Sequence, residues 1–152
     1  MRKILLGAMV AFGVYACSSP KTENTEETAS TPEATETVAE SVKPRVFFKS
    51  PADGATVSNP VFVEMGVEGM QIEPAGQVKE GFGHHHILIN QEFWPKGEVI
   101  PASDTTIHFG KGQTDTQLEL APGDYTISLQ FADGVHTSYG PEMATSIKIT
   151  VK

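Results

Sequence analysis

This chain has almost no cysteine: Cys17 is the single one in 152 residues. No intramolecular disulfide can form. If residue 17 lies outside the folded part, the domain also lacks a thiolate metal ligand and a cysteine nucleophile. Basic residues are scarce as well, with 11 Lys and Arg against 19 Asp and Glu, a formal net charge of -8. Such a surface repels phosphate backbones, which argues against nucleic-acid partners. Long hydrophobic runs are missing: the apolar stretch 4–15 falls short of the roughly 20 residues a membrane-spanning helix needs. Lys111 sits between Gly110 and Gly112, yet no complete phosphate-loop signature surrounds it, so nucleotide binding is excluded. No Ser-His-Asp ordering and no nucleophile elbow stands out.

What is present begins with an address. Arg2 and Lys3 precede the apolar run, and Ala16-Cys17-Ser18-Ser19 follows it. A charged start, a short hydrophobic core and a small residue at the cut mark residues 1–16 as a secretory signal peptide. Val14-Tyr15-Ala16-Cys17 resembles a bacterial lipobox, whose cysteine becomes the lipidated first residue of the mature chain. The expectation is a lipoprotein of the bacterial cell envelope, held to the membrane through Cys17, facing the periplasm or lying on the outer-membrane surface. Residues 17–43 are Thr, Glu, Ser, Ala and Pro for the most part, with no aromatic residue. They cannot bury enough surface to offset ordering entropy, so a disordered acidic linker is expected, with a root-mean-square reach of about 30 Å.

Residues 44–152 form the folded domain. Short alternating or apolar runs at 45–49, 61–67, 86–90, 106–109, 117–120, 125–131 and 145–151 read as strands, separated by Gly/Pro turns such as Ala121-Pro122-Gly123-Asp124. Seven strands without a convincing helix predict an all-β fold, a single antiparallel β-sandwich. An immunoglobulin-like or a cupredoxin-like Greek key satisfies the pattern equally.

The chemistry is concentrated in histidine, and all five histidines fall inside this domain. In Gly83-His84-His85-His86-Ile87 the side chains alternate on a strand, placing His84 and His86 on one face and His85 on the other. A His-x-His pair offers two imidazoles to one ion, and His108 at a strand end and His136 on a loop are the candidates to complete the set. Imidazole suits both copper and zinc, so either ion fits. Weaker candidates are His85, Met70 and Tyr139. Met65 reads as core, Met143 as either core or ligand, and Glu80, Glu92 and Asp104 are candidate bases beside a metal-bound water. The enzyme reading rests only on an open coordination position. The rival reading is a non-catalytic interaction module in which structural histidines hold loops and an envelope protein partner docks at the end of the sandwich.

Gly83-His84-His85-His86-Ile87-Leu88-Ile89 and Ile107-His108-Phe109-Gly110-Lys111-Gly112-Gln113-Thr114 resemble the bacterial domain-of-unknown-function 4399 family. The likeness extends to Ser50-Pro51-Ala52-Asp53-Gly54, Gly69-Met70 and Leu118-Glu119-Leu120-Ala121-Pro122-Gly123. It implies a small exported β domain and supplies no activity. Members of that family carry a second histidine and paired prolines after the equivalent of His136. This chain has Thr137-Ser138-Tyr139-Gly140-Pro141 there, so Tyr139 stands in that histidine's place, and a family site that used it is altered here.

Overall fold

In the computed structural model, residues 42–152 are described. The signal peptide, Cys17 and almost all of the linker therefore lie outside the described residues. Nine strands form: β1 (Arg45–Ser50), β2 (Ala55–Val57), β3 (Val61–Glu68), β4 (Gln71–Ile72), β5 (Phe82–Ile89), β6 (Thr106–His108), β7 (Asp115–Leu118), β8 (Gly123–Ala132) and β9 (Ala144–Val151). One sheet has the order β1-β3-β7; the other runs β2-β9-β8-β5-β4, with β6 also paired to β5.

The sandwich follows from two-residue periodicity on both sheets. Val61, Val63 and Met65 of β3 face Ile87 and Ile89 of β5, Ile127, Leu129 and Phe131 of β8, and Ile149 and Val151 of β9, all buried in one cluster. Each such side chain contributes roughly 1.5–3 kcal/mol through burial, which replaces the disulfides this domain does without. The strand order is that of a Greek-key sandwich. It matches the immunoglobulin arrangement, with β1, β3 and β7 as A, B and E, and β5, β8 and β9 as C, F and G. Tyr125, near the start of β8, donates its hydroxyl to the Ala121 carbonyl at 3.0 Å, the tyrosine corner of that topology.

The sequence predicts seven strands, and the two extra ones, β2 and β4, span only three and two residues, too short to leave a period. They also pair parallel, β2 with β9 and β4 with β5, in an otherwise antiparallel fold. β5 starts at Phe82 rather than at residue 86, because pairing with β8 as far as His84↔Ala132 and with β4 at Phe82 and Gly83 overrides the low strand propensity of that stretch. β7 lies two residues earlier than predicted.

One feature of the second sheet positions the histidines. Its outer face is covered by the β5–β6 connection, residues 90–105. Trp94 and Ile100 pack on Leu88 and Ala132 there. The Trp94 amide donates to Gln130 Oε1 at 2.9 Å, Ser128 Oγ donates to the Gln91 carbonyl at 2.6 Å, and Ser138 Oγ to the Trp94 carbonyl at 2.9 Å. β5 and β8 are consequently buried on both faces.

Candidate metal centre

β5 alternates as its sequence dictates. His85 turns inward with Ile87 and Ile89, while His84 and His86 face the covered outer side with Leu88. The register of β5 with β6 sets His108 directly opposite His86. His136 arrives from the turn after β8. There the Asp133 carboxylate accepts the Val135 and Thr137 amides at 2.9 and 2.8 Å, and the His136 amide bonds the Asp133 carbonyl at 3.0 Å. Asp at the first position of such a turn is what local side-chain capping favours.

Four imidazoles meet as a result. His84 Nε2 lies 3.2 Å from His86 Nε2 and 3.2 Å from His108 Nε2, and His108 Nε2 lies 3.0 Å from His136 Nε2. Pairwise hydrogen bonds do not account for this. An imidazole nitrogen offers one in-plane position, either a lone pair or an N–H, so His84 Nε2 cannot satisfy two nitrogens at once, nor can His108 Nε2. A cation among the rings would accept their lone pairs together. With metal–nitrogen bonds of about 2.0–2.1 Å, tetrahedral ligands would sit about 3.3–3.4 Å apart, close to these three separations. The ligand atoms of His84, His86 and His108 all lie within 4.8 Å of one another; among the described residues His136 and every carboxylate fall outside that group, His136 reaching it through His108.

Electrostatics keep the lone pairs free. Burial, then His108 and His136, push His84 down from 6.5 to about 4, partly offset by Asp133. Burial and the surrounding imidazoles push His86 to about 3. His108 is lowered by burial and then by His136. Neutral imidazole at physiological pH is the metal-binding form. The Nδ1 atoms of His84 and His86 have no hydrogen-bond partner, so burial and packing orient these rings.

The surroundings are built to hold the cluster. A strap after β4 makes three backbone bonds, one beside each histidine-bearing segment: Glu73 N to Gly83 O at 2.8 Å, Ala75 N to Gly110 O at 2.9 Å, and Gly76 N to Gly134 O at 2.7 Å. Gly110 leaves room for the His108 ring, which a Cβ there would overlap. Gln130, in register with His86, donates Nε2 to the Gly140 carbonyl at 3.0 Å and binds Trp94 through Oε1, fixing the covering loop. Sequence reasoning did not single out Gln130 or the strap. Asp133-Gly134 is a turn signal in the sequence, but that the turn aims His136 at the cluster is not encoded locally.

The other sequence candidates fall elsewhere. His85 is fully buried, edge-on to Phe131 at 5.1 Å, with both ring nitrogens unpartnered; it lies outside the cluster, on the opposite face of β5. Tyr139 stacks on Phe131 and donates its hydroxyl to the Phe82 carbonyl at 2.7 Å. Met70 packs against the main core, where Met65 and Met143 are also buried. Glu80, Glu92 and Asp104 are exposed and outside the cluster.

Residues 63–152 match the family described as Domain of unknown function (DUF4399), and the chain belongs to that family. No curated protein and no solved structure matches it.

Proposed function

We propose that this member of the DUF4399 family binds one transition metal ion, copper or zinc, through Nε2 of His84, His86, His108 and His136. The observation that carries the reading is the convergence of His84, His86 and His108, whose ligand atoms all lie within 4.8 Å of one another, with His136 Nε2 3.0 Å from His108 Nε2. The ring centres are 5.0 Å apart for His84–His86, 5.0 Å for His84–His108, 5.1 Å for His84–His136 and 5.0 Å for His86–His108. The last two pairs, His86–His136 and His108–His136, are 5.9 and 4.5 Å apart. At zinc-like bond lengths a tetrahedron sets every pair about 5 Å apart, whereas a square plane splits them into four near about 4.5 Å and two above about 6 Å. The tetrahedral pattern and the all-nitrogen set favour zinc over Cu(II), and the absence of sulfur ligands disfavours Cu(I). Lipid anchoring through Cys17 in the cell envelope, a proposal from the leader sequence, makes this a tethered periplasmic or surface metal site.

Calorimetric titration of the untagged chain with Zn(II), Cu(II) and Cu(I), beside His84→Ala/His86→Ala, tests the reading. One-to-one binding that disappears in the double variant is the expected result. No saturable binding of any of the three would leave the histidines structural and favour the interaction-module alternative.

A further inference from the structure

The four histidines are not equivalent, and the difference points to an exchange site on the metal. His84 and His86 are buried under the 90–105 connection, whereas His108 and His136 line a hollow of about 160 Å³ with Ile100 and Ala102. His136 is the only one of the four not carried on a strand. Its backbone is left-handed, at φ 71°, a conformation that side chains rarely adopt and that only the surrounding turn maintains. The His86–His136 edge is also the widest of the six, at 5.9 Å. The weakest-held ligand, the widest edge and the hollow's histidine wall therefore share one residue.

We infer that this hollow admits a small neutral nitrogen donor of imidazole size, which binds the metal in place of His136. The inference rests on the metal reading above. In the step, the incoming ring nitrogen gives its lone pair to the ion and His136 Nε2 withdraws its own; both are neutral, so charge and ligand number are conserved. Size and wall chemistry set the ligand class. A liquid water occupies about 30 Å³, so the hollow of about 160 Å³ has room for several waters or one small ring. Ile100 and Ala102 offer it apolar walls that favour an uncharged ring over a hydrated anion. The exchange gives the domain a way to accept or surrender its ion without unfolding the buried half of the site.

The test uses the untagged full chain loaded with Co(II), whose visible bands report the coordination sphere, titrated with imidazole. The expected result is a saturable spectral change in the parent chain, the same end spectrum at lower imidazole concentration in His136→Ala, and no change in Ala102→Trp. Ala102 is exposed, so the tryptophan fills the hollow without entering the core, and its unaltered cobalt spectrum before titration verifies the site. A cobalt complex that ignores imidazole, or an Ala102→Trp chain that responds like the parent, overturns the exchange site while leaving the metal reading intact. Absence of any cobalt spectrum, together with no saturable binding of Zn(II), Cu(II) or Cu(I), overturns both.

Discussion

His86 on β5 and His108 on β6 are direct cross-strand partners, their rings 5.0 Å apart and inclined by only 30°. Opposed residues in an antiparallel pair hold their Cβ atoms about 4.5–5.5 Å apart, so sheet register alone brings these imidazoles together. His84 sits two residues earlier on the same face, within reach of both. Three of the four rings are thus placed by backbone hydrogen bonding that forms with the sandwich itself, before any ion arrives.

That placement ranks the ligands. His84 touches two other nitrogens, and His136 touches one from a turn. His84→Ala removes the centre of the set and should cost more metal affinity than His136→Ala. The smaller loss should still reach the roughly 10–100-fold that losing even an outer-shell partner costs. Competition against a chromogenic chelator measures both; equal affinities for the two variants would contradict the ranking.

Asp133 separates geometry from charge. Its carboxylate pins the Val135 and Thr137 amides on either side of His136, and its charge favours protonated His84. Asp133→Ala should loosen the turn and weaken metal binding by about 10–100-fold. It should also destabilise the apo domain by about 1–3 kcal/mol, since two amides lose a charged acceptor. Asp133→Asn retains an oxygen acceptor and should recover most of both losses. If it recovers neither, the charge rather than the turn is what the site requires.

Acid should destabilise the metal-free domain. The unfolded chain protonates its histidines near 6.5, while in the fold His84 and His85 are held at about 4 and His86 at about 3. Between those values the unfolded state binds more protons, so stability falls as pH drops from about 6.5 toward 4 and is unaffected by these groups above 6.5. Thermal melts in chelator across pH 4–8 should slope in that window. Zinc at 100 times its Kd adds about 2.7 kcal/mol at neutral pH, and that gain should shrink on acidification as protons compete for the same lone pairs. A melting temperature independent of zinc at pH 7.5 would refute the linkage.

The fold class is legible in the sequence because alternation is a local signal: Val61, Val63 and Met65 face one way whatever else the chain does. The shared face of His84 and His86 is legible for the same reason. His108 and His136 can be nominated by residue type, but their convergence depends on β5–β6 register and on a turn closed by Asp133, neither of which periodicity encodes. The burial of His85 escapes for a related reason. Its ring turns inward onto Phe131, its register partner on β8, and that pairing between distant segments leaves no local period. β2 and β4 escape because two or three residues carry no period.

Gly110 offers the sharpest separation of fold from site. A Cβ at this position would overlap the His108 imidazole, the end of a side chain that can swing toward solvent. The overlap is therefore relieved by moving a ligand rather than by shifting backbone or core. Gly110→Ala should leave the melting temperature of the apo domain within the range of ordinary surface changes, about 0.5 kcal/mol, while metal affinity drops sharply. Tyr125→Phe is the converse case. It removes the 3.0 Å bond to Ala121 at the far corner and should cost about 0.5–1.5 kcal/mol of stability with no change in metal affinity. Measuring both quantities on both variants decides whether the histidine cluster is a tuned binding site. If Gly110→Ala binds zinc as the parent does, His108 does not need the position it occupies, and the cluster reduces to packing.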